Sequence, residues 1–185
     1  MAGFTGYYLS KALINAGYEV HGMGANPSQE ANYHQLDLSD VEAMRNLVAQ
    51  IQPTVVVHLA AIAFVGHADP EAFYRVNLIG THHLLSVLAE TCLNLECVLL
   101  VSSANIYGNT NEGVLHETQA PAPENDYAVS KLAMEHMAKL WLSKLPIVTV
   151  RPFNYTGVGQ SEQFLLPKIM GHFKRKEIQQ SYKYT

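Results

Sequence analysis

The chain alternates between two patterns of apolar positions, one with the period of a helix and one typical of buried strands. The stretch YYLSKALINAG near the start has apolar residues at helical spacing, and Gly17 is placed to end that helix. The segments TVVVHLAA and ECVLLVSS are continuous apolar runs, which are typical of parallel strands covered on both faces. The pattern therefore predicts strands that alternate with helices.

The remaining segments continue this alternation. YEVHGMG and HQLDLSD are predicted as short strands, the second ending at Asp37 and leading to a helix capped by Ser39 or Asp40. We also predict a long helix over about 70–92, a loop over 104–125, a helix over DYAVSKLAMEHMAKLWLSK and a strand over IVTVRPF. This order predicts an α/β fold with a doubly wound parallel sheet, whose ligands bind beyond the carboxyl ends of the strands.

Composition argues against several classes of function. The chain has 185 residues and a formal net charge of −4, which suits one compact domain and offers no basic face for nucleic acid. The two cysteines, Cys92 and Cys97, and the nine histidines lack the spacing of a disulfide framework or metal site. No apolar run approaches the ~20 residues that span a bilayer, and the first residues lack a leader pattern. We therefore expect a soluble cytoplasmic protein without a metal, membrane or nucleic-acid partner.

Tyr127 and Lys131 form a Tyr-x-x-x-Lys pair, one turn apart on the same face of a predicted helix. An ammonium group beside a phenol favours the phenolate, which suits the tyrosine to proton transfer. Ser103 ends the strand ECVLLVSS and could donate a hydrogen bond to the carbonyl oxygen that Tyr127 protonates. A buried capping serine is the alternative for Ser103. A second pair, Tyr7 and Lys11, follows no strand-end hydroxyl, so we interpret it as structural.

The segments VSSANIYG, DYAVSK and RPFNYTGVGQ resemble, in this order, the extended short-chain dehydrogenase/reductases that act on nucleotide-activated sugars. The resemblance runs from Gly3 to about Ile169. Within that superfamily, RPFN-x-TG-x-GQ with FLLPKI is most similar to GDP-6-deoxy-D-mannose reductases and GDP-mannose 4,6-dehydratases. It implies a Rossmann-like NAD(P)-binding domain over 1–160 and the start of a substrate-binding lobe over 161–185.

The resemblance also implies roles for individual residues. It implies a catalytic triad of Ser103, Tyr127 and Lys131, with Tyr127 as the acid–base group. Residues implied to contact the dinucleotide are Gly3, Phe4, Gly6, Asp37, Leu38, Ala60, Ala61, Asn77, Ser102, Tyr127, Lys131, Pro152 and Phe153. Residues implied to contact the nucleotide sugar are Ala63, Ser103, Asn105, Asn154 and Lys168. Asn77 is equally interpretable as a helix-packing amide, and Asp37 as a turn residue.

Two departures from the family pattern bear on the reaction and on the cofactor. The 4,6-dehydratases carry a glutamate where this chain has Asn105, and an amide does not exchange protons at neutral pH. Reduction of a 4-keto-6-deoxy sugar is therefore favoured over dehydration, and 4-epimerisation stays open. The segment GMGANPS has neither the acidic residue that reads a 2′-hydroxyl nor the arginine that reads a 2′-phosphate. The predicted cofactor is therefore NAD(P), with either form allowed.

The resemblance to this family begins within the family's glycine motif, which lies close to the pyrophosphate of the dinucleotide. Gly3 and Gly6 match the second and third glycines of T-G-x-x-G-x-x-G, whose first glycine and preceding strand are not in this sequence. We therefore expect a fragment that lacks the first strand and most of the substrate lobe, and a non-catalytic dinucleotide-binding or scaffold protein is the alternative to an enzyme. The family often dimerises through two long helices, here 70–92 and 126–143, so a homodimer with a four-helix interface is also expected.

Overall fold

The computed structural model describes residues 1, 3–66, 68–109 and 113–181, with side chains up to residue 176. The chain divides into two compact units, Met1–Phe153 and Asn154–Thr185. The second unit contains helix α6 (Leu165–Ser181), and the interpretation of 161–185 as the start of a substrate lobe stays a prediction. None of the described helices is both long and apolar enough to cross a bilayer.

The first unit alternates helices and strands, and local signals set several of their ends. In chain order its elements are α1 (Phe4–Asn15), β1 (Gly22–Gly24), β2 (Tyr33–Gln35), α2 (Val41–Ile51), β3 (Val55–His58), α3 (Pro70–Phe73), a π-helical segment (Tyr74–Gly80), α4 (Thr81–Thr91), β4 (Cys97–Val101), a 3₁₀ helix (Ala104–Tyr107), α5 (Asp126–Ala138), a 3₁₀ turn (Lys139–Trp141) and β5 (Ile147–Val150). The Asp40 carboxylate caps α2 by accepting a hydrogen bond from the Ala43 N–H, as predicted. Gly17, with φ of 89°, follows the end of α1.

All strand pairs among the described residues are parallel, which confirms the predicted α/β fold. Strands β1 and β2 form one sheet, and β3, β4 and β5 form a second sheet with β4 in the middle. In the second sheet, Leu99 lies opposite Val57 on one side and Val148 on the other. The carboxyl ends of the three strands therefore lie at one edge, where α/β proteins bind their ligands.

An apolar core fixes β4 beneath the helices. Its fully buried members include Met44 of α2, Leu85 and Leu88 of α4, Val98 and Leu100 of β4, and Met134 of α5. Full burial of one such side chain contributes about 1.5–3 kcal/mol. The central strand and the helix that carries Tyr127 and Lys131 are thus held in the same core.

The strands are shorter and less covered than the sequence predicts. Strand β2 ends at Gln35, two residues before the predicted end at Asp37. Val55 of β3 is 40% exposed, so the expectation that TVVVHLAA is covered on both faces is wrong for this strand. Among the described residues β3 pairs with one strand and β4 with two, so β4 alone has neighbours on both sides.

The predicted long helix over 70–92 forms as three successive segments. The Asp69 carboxylate caps α3 by accepting from the N–H groups of Glu71 and Ala72. A seven-residue π-helical segment then separates α3 from α4. The hydrophobic period of a helix does not reveal such a change of winding, which is frequent at functional sites.

The predicted loop over 104–125 begins with a 3₁₀ helix and is closed by hydrogen bonds between its two ends. The Ala122 N–H donates to the Ile106 carbonyl oxygen at 2.9 Å, and the Asn109 N–H donates to Glu124 at 3.1 Å. Gly108 lies between these contacts with φ of 70°, and a Cβ there would overlap the Ala122 carbonyl oxygen. Glycine is required at this position for both reasons.

Replacing Gly108 by alanine should lower the free energy of unfolding by about 2 kcal/mol more than replacing Gly17 by alanine. Both glycines have positive φ, but a Cβ on Gly17 meets no atom within 4 Å. The difference between the variants therefore isolates the clash with Ala122. Urea unfolding followed by circular dichroism measures it, and equal losses for both variants would contradict the closed geometry of this loop.

Candidate active site

Ser103 lies just beyond the carboxyl end of β4 and caps the 3₁₀ helix. Its Oγ accepts a hydrogen bond from the Asn105 N–H at 3.2 Å, and the residue is 8% exposed. A hydroxyl that accepts through a lone pair keeps its hydrogen for donation. The capping role that was the alternative for Ser103 is therefore present, and it orients the hydroxyl rather than preventing it from donating.

Lys131 is a buried amine anchored to the end of the same strand. Its Nζ donates to the Val101 carbonyl oxygen at 2.7 Å, and the residue is 3% exposed. Burial lowers the pKa of Lys131 to about 8, against an opposing effect of the Glu135 carboxylate. The amine is therefore mostly cationic at neutral pH. Its hydrogen bond holds it at the carbonyl of Val101, which precedes Ser103 by two residues in the sequence.

Tyr127 occupies the first turn of α5, the helix that also carries Lys131. The Asn125 side chain caps this helix by accepting from the Ala128 N–H at 2.9 Å. The Tyr127 ring is buried and packs against Phe73, with ring centroids 6.2 Å apart. Because α5 packs against the 3₁₀ helix and is anchored to β4, the structure brings Tyr127, Lys131 and Ser103 to the same edge of the sheet.

Asn77 connects α5 to the segment that follows β3. Its Oδ1 accepts from the Ile62 N–H at 2.9 Å, and its Nδ2 donates to the Ile62 carbonyl oxygen at 3.2 Å and to Ser130 Oγ at 3.0 Å. Ser130 Oγ donates in turn to the Tyr127 carbonyl oxygen at 2.7 Å. These contacts of one buried amide agree with the interpretation of Asn77 as a packing amide. Direct contact of Asn77 with a dinucleotide stays a prediction.

The strand ladder extends beyond β4 and β5 and places Pro152 opposite Ala104, the residue after Ser103. The Ser102 N–H donates to the Val150 carbonyl oxygen at 2.8 Å, and the Ala104 N–H donates to that of Pro152 at 3.0 Å. Phe153 follows as a 60% exposed ring at the end of the first unit. Asn154 and Lys168 belong to the second unit, so their predicted contacts with substrate remain predictions.

The remaining residues predicted to bind the dinucleotide lie after strands or at a helix start. Gly3, Phe4 and Gly6 open α1, whose first turn contains no acidic side chain. Asp37 forms a turn in which its Oδ1 accepts from the N–H and hydroxyl of Ser39, and these bonds lower the pKa of Asp37. The others are Leu38 in that turn and Ala60 and Ala61 after β3. Of the residues predicted to contact the nucleotide sugar, Ala63 lies after β3 and Asn105 lies in the 3₁₀ helix. Their roles in binding stay predictions.

An ion pair that the sequence did not reveal joins α5 to the end of β5. Arg151 donates to the two carboxylate oxygens of Glu135 at 2.9 and 2.6 Å, and to the Tyr107 hydroxyl at 2.6 Å. Burial raises the pKa of Glu135, but the hydrogen bonds and the charge of Arg151 shift it downward overall. Ser102 Oγ itself has no hydrogen-bond partner among the described residues. The Arg151–Glu135 ion pair holds α5 to the end of β5 at a position one helical turn beyond Lys131.

His58 is a second buried group that sequence analysis missed. It ends β3, is 4% exposed, and places its Nε2 2.8 Å from Thr81 Oγ1. Burial and the charge of Lys131 lower the pKa of His58 to about 3, so the ring is neutral at physiological pH. An apolar run that ends in histidine gives no sign of whether that ring is buried.

His58 should make the fold sensitive to mild acid. In the unfolded chain the imidazole binds a proton below its ordinary pKa of 6.5, whereas in the folded chain it does so only near pH 3. The unfolded state therefore binds more protons between these values, and the free energy of unfolding should fall by about 2 kcal/mol from pH 7 to pH 5. His58→Gln should remove this loss. Urea unfolding at both pH values tests it, with His136→Gln, which removes an exposed ring, as the control.

Comparison with proteins of known function gives relatives that act on sugar nucleotides. The chain is 37% identical over 142 residues to a GDP-6-deoxy-D-talose 4-dehydrogenase of Aggregatibacter actinomycetemcomitans, covering 77% of this chain and 48% of the relative. It is 33% identical over 172 residues to a GDP-6-deoxy-D-mannose reductase of Pseudomonas aeruginosa, covering 90% and 54%. The chain thus spans about half the length of the curated relatives it matches.

Solved structures with the same fold include complexes with nicotinamide dinucleotides. A Burkholderia cenocepacia protein is 51% identical, with a TM-score of 0.86, over 95% of this chain and 59% of that chain. RMD from Pseudomonas aeruginosa complexed with NADPH is 32% identical, with a TM-score of 0.75, over 90% of this chain and 56% of that chain. UDP-glucose 4-epimerase of Thermus thermophilus complexed with NAD is 30% identical, with a TM-score of 0.78, over 87% of this chain and 55% of that chain.

The match to a family model extends over nearly the whole chain. The model described as GDP-mannose 4,6 dehydratase covers residues 1–184, which include the triad and both glycines at the start of α1. The predicted resemblance to the short-chain dehydrogenase/reductases that act on nucleotide-activated sugars, and among them to GDP-6-deoxy-D-mannose reductases and GDP-mannose 4,6-dehydratases, is confirmed by this match and by the relatives. The chain belongs to the GDP-mannose 4,6-dehydratase family.

Proposed function

We propose that this chain carries the nicotinamide and catalytic site of an NAD(P)H-dependent reductase that converts the 4-keto group of a GDP-linked 6-deoxy sugar to an alcohol. The observation that carries the proposal is the buried Lys131 amine, held by Val101 at the end of β4, two residues from the Ser103 hydroxyl and on the helix of Tyr127. Two relatives whose names give oxidation or reduction of GDP-6-deoxy sugars support this choice of substrate class.

The residues present fit a dinucleotide. Gly3 stands at the amino end of the 12-residue helix α1, and the position of its absent Cβ meets no atom within 4 Å. Because the first turn has no acidic side chain, the positive end of the helix dipole favours a pyrophosphate there. Neighbours complexed with NADPH and with NAD support the same assignment and leave both forms of the cofactor allowed.

Three side chains of this chain would complete the reduction. When bound, the reduced nicotinamide supplies a hydride to the carbonyl carbon. Ser103 donates a hydrogen bond to the carbonyl oxygen and stabilises the negative charge that develops there. Tyr127 gives its phenolic proton to that oxygen and completes the alcohol. The Lys131 ammonium stabilises the resulting phenolate, since an adjacent positive charge favours the ionised form.

Asn105 favours reduction over dehydration. Loss of water from the sugar requires a group that exchanges a proton, and an amide at this position does not provide one. A 4-epimerase would use the same three side chains, and several relatives and solved neighbours carry that name. The two reactions differ in redox balance, because reduction consumes one NAD(P)H for each sugar whereas epimerisation consumes none.

Binding of the dinucleotide is the first test of this proposal. The 185-residue chain is titrated with NADPH and with NADH while nicotinamide fluorescence is followed. Saturable binding of at least one form is expected, and the tighter form identifies the cofactor. Absence of saturable binding for both forms would contradict the proposal.

A further inference from the structure

A chain of buried hydrogen bonds runs from the end of β3 to the backbone of Tyr127. Its side chains are those of His58, Thr81, Asn77 and Ser130, of which His58 is 4% exposed and the others are 0% exposed. Asn77 and Ser130 form the half nearest the triad, as described above. His58 and Thr81 form the remote half, to which the proposed chemistry gives no role.

Thr81 is the first residue of α4 and directly follows the π-helical segment. The Thr81 N–H donates to the Leu78 carbonyl oxygen, whereas in an α-helix it would donate to that of Asn77. The Thr81 hydroxyl takes over this role and donates to the Asn77 carbonyl oxygen at 2.7 Å. The backbone at Asn77 is therefore fixed by a side chain where the helical ladder is interrupted.

The direction of the hydrogen bond between His58 and Thr81 follows from the single hydrogen that the threonine hydroxyl carries. A threonine hydroxyl has one hydrogen, and here it points to the Asn77 carbonyl oxygen. The bond of 2.8 Å between His58 and Thr81 must therefore be donated by the Nε2–H of the imidazole. His58 is thus a neutral ring with its proton on Nε2, in agreement with the burial and the Lys131 charge that oppose a second proton.

We propose that His58 is a positioning residue for Tyr127. Its Nε2–H donates to the Thr81 hydroxyl, which in turn donates to the Asn77 carbonyl oxygen. With its backbone fixed in this way, Asn77 keeps its side-chain hydrogen bond to Ser130, whose hydroxyl donates to the Tyr127 carbonyl oxygen. The effect of His58 on catalysis rests on the proposed function. Its effect on the position of Tyr127 does not. A displacement of a catalytic group by about 1 Å can cost about 10²-fold in rate.

Paired substitutions separate a hydrogen-bond donor from a space-filling side chain. His58→Leu and Thr81→Val remove the polar hydrogens, whereas His58→Gln and Thr81→Ser retain a donor or hydroxyl. The first two should lower kcat by roughly 10- to 100-fold without raising KM for NAD(P)H, and the conservative variants should recover most of the rate. His136→Leu, at an exposed ring on α5, is the matched control. Equal rates for His58→Leu and His58→Gln, or a loss confined to KM, would overturn the proposal.

A readout without turnover distinguishes this inference from the proposed function. In protein labelled with ¹³C at Cζ of tyrosine, the Tyr127 resonance is identified by its loss in Tyr127→Phe. It should move in His58→Leu and Thr81→Val and return towards its wild-type position in His58→Gln and Thr81→Ser. If the resonance is the same in all four variants, the inference fails whatever the activity. If it moves as expected while wild type reduces no keto sugar, the proposed function alone fails.

Discussion

Replacing Tyr127 by phenylalanine should lower the rate of keto-sugar reduction by about 10²- to 10⁴-fold, the range that a positioned acid–base group supplies. The substitution removes one oxygen from a ring that is buried against Phe73, so the packing of α5 should persist. Because the lost interaction belongs to proton transfer, the decrease should appear in kcat rather than in KM for NAD(P)H. Steady-state kinetics that follow nicotinamide absorbance give both constants.

The chain contains its own control for this result. Tyr7 and Lys11 form the second Tyr-x-x-x-Lys pair, and the Lys11 amine lies 4.2 Å from the centre of the Tyr7 ring. Tyr7 is 44% exposed on α1 and has no strand-end serine beside it in sequence. Tyr7→Phe should therefore retain wild-type kcat. A similar loss in both variants would show that the fold, and not proton transfer, limits the rate, and would contradict the assignment of Tyr127.

Replacing Arg151 by methionine should lower the free energy of unfolding by about 3 kcal/mol. The Glu135 side chain is 8% exposed and Arg151 is its bidentate partner, so the substitution leaves a carboxylate buried without its counter-charge. A second substitution, Glu135→Met, should restore much of the lost stability, because a buried pair replaced by apolar groups is often neutral. Urea unfolding of the single and double variants measures both effects.

An exposed ion pair provides the control for Arg151. Arg45 contacts Glu42 and Glu90, whose side chains are 73% and 53% exposed, so Arg45→Met should cost less than about 1 kcal/mol. If Arg151→Met costs no more than Arg45→Met, the buried pair does not hold α5 to β5. A double variant less stable than Arg151→Met alone would equally contradict this account.

The parts of the site that the sequence predicted depend on short-range signals. The spacing of Tyr127 and Lys131 places both on one helix, and the apolar run before Ser103 identifies the end of a strand. Asp40, close to an apolar-periodic segment, likewise predicts a helix start. Each of these inferences needs only the order of residues within one or two turns or along one strand.

The parts that the sequence did not predict depend on contacts between distant segments. In the sequence, His58 is only the last residue of a predicted apolar strand. Its role as a buried hydrogen-bond donor depends on its contact with Thr81, which lies 23 residues later. The π-helical winding over Tyr74–Gly80 lies within a stretch whose sequence pattern predicted one continuous helix. Arg151 and Glu135 lie 16 residues apart, on different elements. Tertiary structure, and not local pattern, determines these features.

The proposed reduction is tested most directly by incubating the 185-residue chain with a GDP-linked 4-keto-6-deoxy sugar and the nicotinamide dinucleotide that it binds more tightly. The loss of nicotinamide absorbance and the appearance of the 4-hydroxy sugar nucleotide are measured in the same sample. We expect one reduced nicotinamide to be oxidised for each 4-hydroxy product formed, with the reaction dependent on Tyr127. Saturable dinucleotide binding without oxidation, or conversion of the sugar with no change in nicotinamide absorbance, would contradict the proposed reductase.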